Sequence, residues 1–170
     1  DALSGSYLAK IKKAPVLVIG ADWPNQCRAY EYINKNLSTD GTVYILGGTG
    51  AVSEEFEKAL SGLQVKRLSG EDRWMTNLAI LQETGLGEDG VVVCSGTEFA
   101  DSLSASAAGR PILLVDEILN ERQREYVAAQ NVQYCLIGGE GAVSRDVEDE
   151  MAQCGETKRV EGVNRFETSA

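Results

Sequence analysis

The chain has 170 residues, with 43% hydrophobic and 25% charged content, the balance of a folded protein rather than a disordered one. Its net charge of −10 argues against broad docking on nucleic acid or acidic membranes, which needs a basic face. It contains no histidine, which excludes Ser-His-Asp and Cys-His catalysis and every His-ligated zinc site.

In chain order, DALSGSYLA (1–9) reads as a helix of small residues and PVLVI (15–19) as a strand. VYIL (43–46) is a second strand, broken by GGTG (47–50). The helix SEEFEKALSGL (53–63) follows, with Phe56, Ala59, Leu60 and Leu63 on one face. DRWMTNLAILQ (72–82) places Trp74, Leu78 and Leu81 on one helical face, and Gly85 and Gly87 are its stop signals. Next come the strand VVVC (91–94), a small-residue helix from about Ala100 to Ala108, and the strand PILLV (111–115). NERQREYVAAQ (120–130) is a helix that Asn120 can cap, followed by the strand QYCLI (133–137) and the helix SRDVEDEM (144–151). Strand runs of continuous Val, Ile and Leu are buried on both faces. Regular β-α alternation gives a parallel sheet with right-handed crossovers. The expected fold class is α/β, built as three-layer α/β/α units.

The four cysteines, Cys27, Cys94, Cys135 and Cys154, contain no C-x-x-C pair, so neither a zinc ribbon nor a thioredoxin motif is present. Cys94 and Cys135 sit in apolar strand runs, where a thiol is expected as a small buried hydrophobe. No apolar run approaches the about 18 residues that a membrane helix needs.

The chain also repeats itself. GGTGAVSEEFEKAL (47–60) returns as GGEGAVSRDVEDEM (138–151), RLSGEDRWMT (67–76) as RVEGVNRFET (159–168), and DALSGSYLA (1–9) as DSLSASAAG (101–109). Residues 67–158 therefore form one complete repeat, 1–66 the back part of a first, and 159–170 the start of a third. A chain that starts and stops inside motifs reads as a piece of a longer protein.

Three repeated motifs are candidates for binding. The Gly-rich turn has neither the G-x-G-x-x-G of a dinucleotide fold nor the Lys of a P-loop, and its second copy carries Glu140. A carboxylate there would repel phosphate, so the glycines read as the corner between a strand and a helix capped by Ser53 or Ser144. The second motif, R-x-x-G-x-[DN]-R-[WF]-x-T, carries Arg67 and Arg73, then Arg159 and Arg165. Such arginines can fork onto a ligand carboxylate or phosphate, or onto a carboxylate of the chain itself. The third supplies Ser4 and Ser6, then Asp101, Ser104 and Ser106. A serine and aspartate without a base make a poor nucleophile, so ligand contact or structure is expected rather than catalysis.

Together, RLSGEDRWMTNLAI, FADSLSASAAGRPILLV and YILGGTGAVS resemble the cell wall binding repeat type 2 of Gram-positive bacterial surface proteins. The resemblance implies tandem α/β modules, Rossmann-like or toprim-like, that anchor S-layer and other surface proteins to an anionic, teichoic-acid-like wall polymer. It implies no catalytic activity, no cofactor and no metal, a place on the cell wall, and contacts with neighbouring repeats or self-association. Carried over by motif, polymer contact falls on Pro111, Ile112, Leu113 and Leu114 and on Arg67, Arg73, Arg159 and Arg165. Asp101 and Ser104 are added as ligand contacts. A nucleotide-binding domain using the Gly-rich loops and a structural self-associating module are the competing readings.

Overall fold

A computed structural model describes residues 2–20, 22–97, 103, 106–107 and 109–162. Its elements in order are α1 (Gly5–Lys12), α2 (Trp23–Asn36), β1 (Thr42–Leu46), α3 (Glu54–Ala59), β2 (Gln64–Leu68) and α4 (Arg73–Thr84). They continue with β3 (Val91–Ser95), β4 (Ile112–Val115), α5 (Glu121–Ala128), β5 (Tyr134–Ile137), α6 (Arg145–Cys154) and β6 (Thr157–Val160). The strands form two sheets, β1–β2 and β4–β3–β5–β6, and every pairing is parallel. The α/β class with parallel sheets is as expected.

Caps set the helix starts. Ser53 accepts from Phe56 N and Ser144 from Val147 N, as the repeated turn requires. Asp72 accepts from Met75 N at 2.7 Å, and Asn120 and Gln123 make a reciprocal capping box. Gly85 and Gly87 end α4 with positive φ of 69° and 65°.

β3 is the central strand of the larger sheet, and Val91 to Cys94 are at most 2% exposed. Val91 and Val93 pack with Val127, Val143 and Val147 below α5 and α6, while Val92 and Cys94 meet Ile112, Leu114 and Trp74. Two-sided burial explains why this run shows no polar alternation. Cys94 is buried as expected, Cys135 is half-buried, and none of the four cysteines is in a disulfide.

Three features depart from the sequence reading. β2 and β6 are strands, each at the margin of its sheet among the described residues, with Lys66 and Lys158 exposed; charged outward residues protect such edges and hide the strand signal. Consequently the strand that opens each sequence repeat closes the preceding sheet. α2, the longest helix, begins after Asp22 with Pro24 in its first turn, a start signal the repeat comparison passes over. Finally, PVLVI is not a strand: residues 14–20 form no ladder, and Val18 is 82% exposed. Of the small-residue helix near 100–108, Leu103, Ser106 and Ala107 are helical, and its other residues lie outside the described set.

A candidate ligand-binding face

Arg67 leaves β2 opposite Ile45 of β1, beside the turn that follows β1. Its Nε donates to Glu57 Oε2 and its Nη1 to the Gly47 carbonyl, each at 2.8 Å. Arg159 repeats the arrangement in the second sheet. Its Nε and Nη2 donate to Glu148 Oε2 at 3.1 and 2.7 Å, and its Nη1 to the Gly138 carbonyl at 2.8 Å. Only 14% and 11% of the two arginine side chains are exposed. Gly47 and Gly138 have φ of 114° and 107°, a conformation that an L side chain rarely adopts. The planar guanidinium thus joins three parts of one unit: the marginal strand, the Gly turn and the capped helix.

This geometry decides what the twice-repeated motif does locally. Glycine carbonyls face a resident guanidinium, and the arginine charge is matched by a carboxylate of its own chain. In the second turn Glu140 is paired with Arg145, which holds the Glu140 carboxyl below its ordinary range. Gly70 and Thr76 of the same motif are explained together. The Gly70 N–H donates to Thr76 Oγ1 at 3.0 Å, and a Cβ on Gly70 would collide with Met75.

The Pro111–Leu114 stretch is interior. Pro111 is buried, Ile112 and Leu113 are 1% exposed and Leu114 6%. β4 is the marginal strand of its sheet among the described residues, yet side chains satisfy three of its outward backbone groups. Asn77 Nδ2 donates to the Ile112 carbonyl at 2.8 Å, and Asn77 Oδ1 accepts from Leu114 N at 2.9 Å. The amide of one side chain thereby reproduces the bonds that a parallel neighbour strand would make. Gln123 Nε2 takes the Leu114 carbonyl, and Asn77 also donates to Ser4 Oγ, tying α1 to this edge. Asn77 was not singled out in the sequence; its signal is a polar residue on the apolar Trp74–Leu78–Leu81 face of α4.

Arg73 is placed differently from Arg67 and Arg159. It is exposed, donates to the Gly96 carbonyl at 2.7 Å just beyond β3, and lies 5.9 Å from the centroid of the Trp74 ring. Gly96 is required beneath it, since a Cβ there would meet Trp74 Nε1 at 2.6 Å. This is the carboxyl end of the sheet, where binding sites of α/β folds gather. Asp101, Ser104 and Arg165 lie outside the described residues.

The pattern of cell wall binding domain 2 (CWB2) matches residues 1–57 and 67–148. The chain belongs to this family.

Two Bacillus subtilis (strain 168) proteins are similar to this CWB2 chain over its full length. One is an amidase enhancer, 30% identical over 175 residues, and the other is the N-acetylmuramoyl-L-alanine amidase LytC, 28% identical over 181 residues. The chain spans 24% and 34% of their respective lengths. Among solved structures, Cwp8 from Clostridium difficile matches 99% of the chain with a TM-score of 0.87 at 31% identity, and the chain covers 30% of it. Cwp6 from the same organism matches 99% with a TM-score of 0.79 at 21% identity, a likeness of fold, with 28% of that chain covered. The CWB2 chain is thus a cell wall binding domain of the bacterial surface. No helix among its described residues is long and apolar enough to cross a membrane.

Within the CWB2 domain, positive charge also gathers at the C-terminal end of α1. Lys10, Lys12 and Lys13 end α1, and Lys10 Nζ donates to the Gly109 carbonyl at 2.8 Å, next to Arg110. The available signal was the KIKK run itself, set in an otherwise acidic chain.

Proposed function

We propose that this CWB2 domain is a non-catalytic anchor that holds a larger surface protein on an anionic, teichoic-acid-like wall polymer. The observation that carries the reading is the family match together with the placement of Arg73. Arg73 is exposed over Trp74 at the carboxyl end of the sheet, whereas Arg67 and Arg159 are held by their own glutamates. Arg73 is accordingly the first candidate for polymer phosphate, with Asp101, Ser104 and Arg165 as further contacts and the α1 lysines as a second source of charge. Arg67 and Arg159 would contribute only by exchanging a glutamate for the polymer. Pro111–Leu114 would shape the face from beneath, through the strand that carries it.

Purified walls provide the test, before and after chemical removal of phosphate-linked polymers. The expected result is retention on intact walls and its loss on stripped walls. Equal retention on both would overturn the polymer reading while leaving wall binding itself in place.

A further inference from the structure

The two repeats place positive charge at the same point, just ahead of the proline that opens PVLVI and PILLV. In the first copy this is Lys10, Lys12 and Lys13 before Pro15, and in the second it is Arg110 before Pro111. The fold brings the two sets together. α1 ends against the loop that leads into β4, and Lys10 Nζ reaches the Gly109 carbonyl at 2.8 Å across 99 positions of sequence. Gly109 admits this approach, since a Cβ there would stand 3.3 Å from both Lys10 Cδ and Lys10 Nζ. Arg110 turns towards the loop before β3, where a Cβ on Gly90 would stand 3.0 Å from Arg110 Nη2. Tyr7, one turn before Lys10, sets its hydroxyl against Gly87 of the same loop.

These cations are not neutralised by the chain itself. Among the described residues, Lys10, Lys13 and Arg110 take part in none of the ion pairs. In a chain with 26 acidic and 16 basic residues, cations gathered without a carboxylate are the exception. Lys10 is exposed and gives one of its three donors to Gly109, so two remain. Arg110 Nε is buried with no hydrogen-bond partner, and such a donor in a folded protein calls for an explanation.

We propose that Lys10 and Arg110 hold a phosphate group of the wall polymer at the junction of the two repeats, with Lys13 beside them at the end of α1. This rests on the polymer reading above and adds a second point of contact to it. A guanidinium and an ammonium from two elements can take different oxygens of one phosphodiester. The site lies at the amino ends of β3 and β4, whereas Arg73 lies beyond the carboxyl end of β3. β3 has five residues, so the two points are about 17 Å apart along the strand, more than the Debye length of about 8 Å at 0.15 M salt. One phosphate cannot occupy both. A chain of phosphates can, and its second contact is then intramolecular. Each repeat supplies one of the two cations, so the site exists only where two repeats are joined.

Amide spectra of the 170-residue chain, recorded during titration with inorganic phosphate and with a short glycerol phosphate oligomer, test the proposal. The expected result is saturable shifts at Gly90, Gly109 and Arg110 with both probes, and half-saturation by the oligomer at an at least about tenfold lower phosphate concentration. Lys10→Gln combined with Arg110→Gln should remove these shifts and weaken retention on intact walls about tenfold. Arg28→Gln combined with Lys35→Gln removes the same two charges from exposed positions on α2 and should do neither. No shift at these amides in the parent chain, or equal losses from the two double variants, would overturn the site. Equal half-saturation by both probes would overturn the polymer assignment and leave a site for free phosphate. Undiminished wall retention by the Lys10→Gln, Arg110→Gln variant would refute the second contact, whereas the polymer reading itself fails only if stripped walls retain the parent chain equally.

Discussion

Asn77 shows how much one buried side chain can decide. It is fully buried, and its amide makes three hydrogen bonds, two of them to the backbone of β4. Asn77→Ala would leave a buried carbonyl and a buried N–H unpaired, at about 1–3 kcal/mol each. The expected loss is therefore about 2–6 kcal/mol, read as a lower urea midpoint. Asn77→Asp keeps the acceptor for Leu114 N but faces the Ile112 carbonyl with a carboxylate, and should be no better than alanine. Tyr134 supplies a pH-dependent counterpart. It is 1% exposed, its hydroxyl donates to the Val127 carbonyl at 3.3 Å, and burial pushes its phenol up from 10.0 to about 12. A raised folded value means that the stabilisation is complete below about pH 10 and is lost as pH rises towards 12, on the order of 2 kcal/mol in all. Tyr134→Phe should flatten this alkaline loss in denaturation curves taken from pH 9 to 12, and change stability little at pH 7.

At the scale of elements, the repeated Arg–Glu–Gly carbonyl junction is what makes a strand, a turn and a helix one rigid corner. Arg159 and Glu148 are 11% and 32% exposed, so the pair is better shielded than a surface ion pair, which is worth at most about 1 kcal/mol. Arg159→Lys retains the charge but not the fork to Gly138, and is expected to cost about 1.5–3 kcal/mol, the value of hydrogen bonds to charged groups. In a double-mutant cycle with Glu148→Gln, a coupling energy below about 0.5 kcal/mol would refute the junction as a cooperative unit. The sequence disclosed both partners, since Arg67, Arg159, Glu57 and Glu148 all recur in the repeats. It did not disclose that they meet, because nine or ten residues of helix and strand lie between them and only the folded corner closes that distance. PVLVI teaches the opposite lesson. Its composition favours a strand, yet strand formation needs a neighbour, and among the described residues the 14–20 segment has no strand partner.

For the whole molecule, charge sets the terms of wall binding. A protein of net charge −10 and an anionic polymer repel at long range, and only local cations near Arg73 or the α1 lysines can offset this. At 0.15 M salt the Debye length is about 8 Å, so the diffuse repulsion is largely screened while contacts survive; at 1 M it is about 3 Å. Retention on intact walls is therefore expected to fall between these salt concentrations. Arg73→Ala should weaken retention about tenfold, the equivalent of about 1.4 kcal/mol, with Tm nearly unchanged because Arg73 is exposed. A loss of retention that merely tracked a lowered Tm would assign Arg73 a structural role instead.

The sequence by itself determined the parallel α/β class, the repeat, the helix caps at Ser53, Asn120 and Ser144, and the family. Each of these is local or periodic, and a cap needs only a side chain three residues from its N–H. Tertiary structure alone decided which arginines are occupied and which is exposed, and that Pro111–Leu114 is interior. It alone placed Asn77 at the edge of β4 and, among the described residues, left PVLVI without a strand partner. Those outcomes rest on groups far apart in the chain, and spacing along a sequence carries no record of which carboxylate or carbonyl a guanidinium or amide will meet.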